Sequence, residues 1–251
     1  MVDLNPNFTA SLTRLGLMAL LLAGCIVVAA RFRRFWGIAP IAVLAGLFQV
    51  LQLVLVMGTR IEVFPGATIS PGAVAVFPAT LFAILLVYVL EDEAEARRLV
   101  YGILLANVAL ALVIFSGQPL IDVPDLAGGI RLSSEAAARL CRIIILGSIL
   151  LAIDALILIR AFEWFGDRVS RIILARALFA LSVSLAFDAL VLPFAVFGAN
   201  LRSGSILPMD LIGKVGAAVF YSLAFAFLLP FSGLPASPTG RGRPNRSSGP
   251  V

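Results

Sequence analysis

The sequence predicts an all-α, polytopic transmembrane bundle of about seven helices, and three observations predict it. Apolar residues make up 61% of the chain and charged residues only 13%, against ~45–50% and ~25% in a soluble domain. Seven apolar stretches are long enough to cross ~30 Å of hydrocarbon at 1.5 Å per residue. The basic residues sit in short clusters between those stretches instead of forming a face or stripe, which is the pattern of membrane-flanking charge.

The stretches fall at 15–30, 38–57, 72–90, 99–115, 140–159, 172–197 and 206–231. Lipid offers no hydrogen bonds to a backbone, so each is expected to be a helix. With the N-terminus outside, eleven arginines lie inside (Arg31, Arg33, Arg34, Arg97, Arg98, Arg160, Arg168, Arg171, Arg241, Arg243, Arg246) and six outside (Arg14, Arg60, Arg131, Arg139, Arg142, Arg202). Positive charge favours the cytoplasmic side, so the expected orientation is N-out, C-in. The expected location is the plasma (inner) membrane of a bacterium, with the lipid bilayer as the main partner.

Leu22-Ala23-Gly24-Cys25 resembles a lipobox. The segment before it lacks a basic start, and the apolar run continues past Cys25 to Arg31-Phe32-Arg33-Arg34-Phe35-Trp36, an anchor with interfacial aromatics. The expectation is therefore a spanning helix with Cys25 and Cys141 as buried free thiols.

Residues 62–72 hold two Pro-Gly pairs and cannot form one continuous helix. The segment is too apolar for a solvated loop, so a re-entrant or lid-like element packed on the bundle is expected. A longer polar loop is expected at 117–133. The connector at 91–98 carries Glu93 and Arg97 at i,i+4 spacing and reads as a self-paired, solvated helix end. Residues 1–231 form the bundle, and the Pro-, Gly-, Ser- and Arg-rich tail at 232–251 is expected to be a disordered cytoplasmic segment.

Histidine is absent from the sequence. That removes the usual nucleophile–base pairs and the commonest metal ligand. No phosphate-cradling glycine loop is evident either. Neither an enzyme nor a nucleic-acid-binding protein is expected, and no metal site or cofactor.

Charges inside the spans carry the functional information, because a charge at bilayer depth costs ~2.5–3.5 kcal/mol on insertion scales. Leu151-Ala152-Ile153-Asp154-Ala155-Leu156 recurs as Leu185-Ala186-Phe187-Asp188-Ala189-Leu190, so consecutive spans each carry an aspartate. Asp154 and Arg176 lie about six and four residues from the inner ends of their stretches, and a structural ion pair between them is expected. Asp188 and Lys214 lie about nine and eight residues from the outer ends of theirs. Asp210 precedes Lys214 by one helical turn, and Arg139 and Arg142 stand at the outer end of the fifth span. Up to five charges from three spans would then converge in the outer half. With Asn107 as a neutral companion, they form a candidate pocket for a small polar ligand.

Two resemblances attach to these residues. Ile69-Ser70-Pro71-Gly72, Phe77-Pro78-Ala79-Thr80-Leu81-Phe82, the run from Leu90-Glu91-Asp92-Glu93 to Tyr101-Gly102, and Gly213-Lys214 with Tyr221 resemble the vitamin uptake transporter family. That family includes the queuosine-precursor transporters. The chain is more similar to their sensor-like relatives, prokaryotic membrane domains usually fused to cytoplasmic signalling modules. The resemblance spans roughly 46–231. It departs in the acidic-to-basic motif after the third span and in showing no recognisable signalling module after the last. It implies a sensor for a small molecule with a cytoplasmic signalling partner or, alternatively, a transporter for a purine-like or vitamin-like solute. Separately, Asp210-Leu211-Ile212-Gly213-Lys214-Val215-Gly216 is similar to the seventh helix of microbial rhodopsins, which implies retinal as cofactor on Lys214. The third span has no acid to serve as its counter-ion.

Overall fold

The computed structural model describes residues 6–58, 61–64, 67–121, 134–170, 172–197 and 206–228. Among these residues seven α-helices follow one another: α1 (Pro6–Trp36), α2 (Ala39–Gly58), α3 (Phe77–Leu90), α4 (Glu93–Ile121), α5 (Ser134–Arg168), α6 (Ile173–Phe197) and α7 (Ile206–Leu228). Six, counting α3 together with the turn Gly72–Val76 before it, are long and apolar enough to cross a membrane, and α7 adds the shorter apolar helix Leu211–Phe227. Their outward faces carry large apolar side chains such as Leu21, Leu47, Leu105, Phe115 and Phe227. An apolar exterior of this extent belongs in lipid, so the protein is a multi-pass membrane protein.

The helices outrun the apolar stretches that announce them. The fifth stretch ends at 159, whereas α5 continues to Arg168, because Arg160, Glu163 and Arg168 are good helix formers beyond the hydrocarbon. At the other end of that region, α4 reaches Ile121 and α5 starts at Ser134. The loop expected at 117–133 is therefore shorter, and its remainder lies outside the described residues, as does the tail at 232–251. The helix α1 continues unbroken past Cys25. Cys25 is exposed and Cys141 half-buried, both as free thiols, which corrects the expectation that both are buried.

A short hairpin supplements the all-α bundle at 61–64 and 67–69. Strands β1 (Ile61–Phe64) and β2 (Ala67–Ile69) form an antiparallel hairpin with Ile61 opposite Ile69. The first strand lies against α1 and the second against α7, so the segment does pack on the bundle. An antiparallel pair satisfies backbone groups that the Pro-Gly turns deny to a helix.

The third span is the axis of the molecule. Over Gly72–Leu90 83% of residues are buried, against 17% for α2 and 28% for α4, so other elements surround it. Apart from Thr80 and Tyr88 its side chains are apolar, as a helix buried nearly all round requires. It opens with a π-helical turn, Gly72–Val76. Pro78 explains the widening: it has no N–H, and in an α-helix its ring would collide with the carbonyl four residues back, at Val74. At the opposite end Arg33 of α1 donates to the Leu90 carbonyl (3.1 Å) and pairs with Glu91 (3.3 Å), closing the helix C-terminus with a cation. Asp92 then caps α4 by accepting the Glu95 N–H at 2.8 Å. The expected Glu93–Arg97 pair forms, joined by Glu95–Arg98.

Candidate functional site

Helices α5, α6 and α7 pack side by side in sequence order and bring three ionisable groups together in the interior. Lys214 Nζ donates to Asp188 Oδ2 at 2.7 Å. The lysine is fully buried and the aspartate 3% exposed. Asp154 is fully buried as well, within electrostatic reach of both Asp188 and Lys214.

Local sequence explains how each is placed. Gly213, beside Lys214, lets α7 touch the π turn: a Cβ there would stand 2.9 Å from Val74 Cγ2. Two turns further along α7, the Tyr221 hydroxyl donates to the Ala75 carbonyl at 2.8 Å, a carbonyl within the widened turn. Tyr221 and Phe225 also pack on the Phe82 ring, with centroids 5.5 and 6.0 Å away. Lys214 is thus fixed on both sides along its helix. On the neighbouring pair, the Ser184 hydroxyl donates to the Asp154 carbonyl at 3.0 Å, which sets the level of α5 against α6.

That level overturns the expected Asp154–Arg176 ion pair. Arg176 stands opposite Phe162, where its Nε donates to the carbonyl at 3.2 Å and its guanidinium lies 4.2 Å from the ring centroid. Its tip packs against Gly166. Phe162 is eight residues beyond Asp154, about 12 Å along a helix. The cation–π and carbonyl contacts hold the arginine there. Both carboxyl oxygens of Asp154 lack a hydrogen-bond partner.

Of the expected ligand-facing residues, Asp188 and Lys214 come together. Arg142 does not join them: it is exposed on α5, twelve residues before Asp154, about 18 Å away along the axis. Asp210 and Arg139 lie on α7 and α5, but their side chains fall outside the described residues. Asn107 belongs to another cluster. Its amide donates to Gln49 Oε1 at 3.4 Å, and Gln49 donates to the Thr80 hydroxyl at 3.3 Å, which ties α4 and α2 to the central span. Asn107 also lines, with Ser148, a groove of about 380 Å³ between α4 and α5 whose other walls are aliphatic.

Two polar partners of this region carry a sequence signal in their spacing. Ser184 precedes Asp188 by four residues, and Tyr221 follows Lys214 by seven. Both spacings put polar groups on the same helix face as a buried charge. Tyr88, whose hydroxyl donates to Glu163 at 2.8 Å, carried no comparable signal.

The fold and the buried charges define a class: a polytopic helical membrane protein organised around an intramembrane ion pair. The vitamin uptake-like sensor family matches residues 23–229, and the chain belongs to it. The match includes Lys214, so the lysine that resembles a retinal attachment point sits within a family of sensors. No curated protein and no solved structure matches the chain.

Proposed function

We propose that the protein is a membrane sensor that recognises a small polar molecule within the bundle at the Asp188–Lys214 pair, and passes its state to a cytoplasmic signalling partner. The observation that carries this reading is the pair itself, buried at 2.7 Å between α6 and α7. A buried ion pair contributes little net stability, because desolvation offsets its attraction. Inside a membrane such a pair by default marks a functional site. In the closed arrangement the pair is packed on all sides. A ligand that replaces either partner must part α6 from α7, and that parting is the signal.

The reading is of a binding protein in the plasma membrane rather than an enzyme. Its test is thermal stabilisation of the purified protein in detergent, screened against purine bases and water-soluble vitamins. A stabilising compound should lose its effect in Asp188→Asn and in Lys214→Met while both variants stay folded. Undiminished stabilisation in both would overturn the site.

A transporter is the second reading, favoured by the π turn and Pro78 that interrupt the third span, since discontinuous spans line solute sites in transporters. It predicts uptake of the stabilising compound into proteoliposomes. Binding without uptake favours the sensor.

A further inference from the structure

The Asp154 carboxyl is the least explained group in the described interior. It is fully buried, and neither oxygen has a hydrogen-bond partner. An isolated carboxylate buried in this way is strongly disfavoured, and such a group neutralises itself instead. Lys214, the cation that acts on it, donates to Asp188. The Asp188 carboxylate and the Lys214 ammonium both act electrostatically on the Asp154 carboxyl, and like charges in one buried site do not both ionise.

We propose that Asp154, Asp188 and Lys214 form a binding site for one exchangeable proton, carried on the Asp154 carboxyl, and that release of this proton lets Lys214 divide its contacts between α5 and α6. The step balances simply. The Asp154 O–H bond breaks, its electron pair stays on the carboxylate, and the proton leaves to water or to a basic ligand atom. The new anion attracts the Lys214 ammonium, which remains charged throughout. The charge of the site falls by one, and the contacts joining α5, α6 and α7 redistribute.

The surroundings limit which groups can take part. Helix α5 packs against α3, α4 and α6. Asp188 of α6 and Lys214 of α7 act on the carboxyl electrostatically. Arg176 is held at Phe162, and Tyr88 of α3 is bonded to Glu163. On α4 the Asn107 amide is neutral and is bonded to Gln49 of α2. A metal ion fits less well than a proton: the Lys214 ammonium repels a cation, and among the described residues no group of three metal-ligating side chains forms. The proton site stands whether or not a small molecule binds at the Asp188–Lys214 pair.

Infrared spectroscopy of the full chain, labelled with carboxyl-13C aspartate and held in lipid at neutral pH, tests the proposal directly. The expected spectrum contains the C=O stretch of a protonated aspartic acid, shifted on exchange into heavy water. The band should vanish in Asp154→Asn and survive in Asp210→Asn. Raising the pH should abolish it in the wild type. A labelled wild type without the band, or a band that persists in Asp154→Asn, would overturn the proposal. If Asp154→Asn does not fold, the wild-type and Asp210→Asn spectra decide alone: a band lost in Asp210→Asn belongs to Asp210 and sinks the assignment.

Discussion

The Tyr221 hydroxyl donates to the Ala75 carbonyl at 2.8 Å, across 146 positions of sequence. The bond joins the last helix to the widened turn that opens the central span. In lipid no solvent competes for that carbonyl, so the bond is not exchanged for one to water.

Tyr221→Phe isolates this bond, since the ring contact with Phe82 is retained. Hydrogen bonds within membrane proteins contribute less than their dry surroundings suggest, so a loss of about 1 kcal/mol is expected. The checking measurement is the thermal midpoint in detergent. A variant as stable as the wild type would mean that the carbonyl finds another donor.

Asp188 and Lys214 should behave as a unit. Removing one partner strands a buried charge, and the expected cost of Asp188→Ala or Lys214→Met is about 3–5 kcal/mol. The double variant should be much less destabilised than the sum of the singles, because no orphaned charge remains. Denaturation of all four proteins in the same detergent measures the coupling. Additive losses would show that the two side chains act independently.

Much of this bundle was readable from hydropathy alone. Each apolar stretch became a helix, because burying an unpaired backbone in lipid leaves no other outcome. The Pro-Gly pairs predict no continuous helix over 62–72, and the described residues there form none, whereas the hairpin packs between α1 and α7. The Asp188–Lys214 pair was accessible from depth, since both residues were counted from the same bundle end. The Asp154–Arg176 pair failed by the same method. Its depths were measured from the end of an apolar stretch, and α5 continues nine residues beyond 159 to Arg168. That extension puts Asp154 fourteen residues from the helix end, opposite Ser184. Hydropathy locates the hydrocarbon, not the helix end, and a counting error of two turns exchanges one partner for another.

The charged connector offers a contrast in magnitude. Arg97 and Arg98 pair with Glu93 and Glu95 on an exposed helix face, where ion pairs are worth ~0–1 kcal/mol. Arg97→Ala should leave the thermal midpoint nearly unchanged. Arg33→Ala should lower it more, by about 1–2 kcal/mol equivalent, because it uncovers the Leu90 carbonyl at the end of the central span. Equal effects of the two substitutions would mean that Arg33 contributes only as a surface charge.

Three glycines rank the close approaches around the central span. A Cβ on Gly72 would stand 2.7 Å from the Gln52 carbonyl oxygen, and backbone cannot rotate away. On Gly213 it would stand 2.9 Å from Val74 Cγ2, a branched side chain with little freedom to turn. On Gly216, one turn from Gly213 and outward-facing, it would meet nothing within 4 Å. Gly72→Ala should therefore be the most damaging, by about 1–3 kcal/mol or more, with Gly213→Ala next. Gly216→Ala should be neutral or stabilising by up to ~1 kcal/mol, since alanine favours the helix. The order matters for the site, because Gly213 sets how near Lys214 comes to the π turn. If Gly213→Ala matched Gly216→Ala in stability, α7 would be free to shift, and the ion pair would not depend on this contact for its geometry.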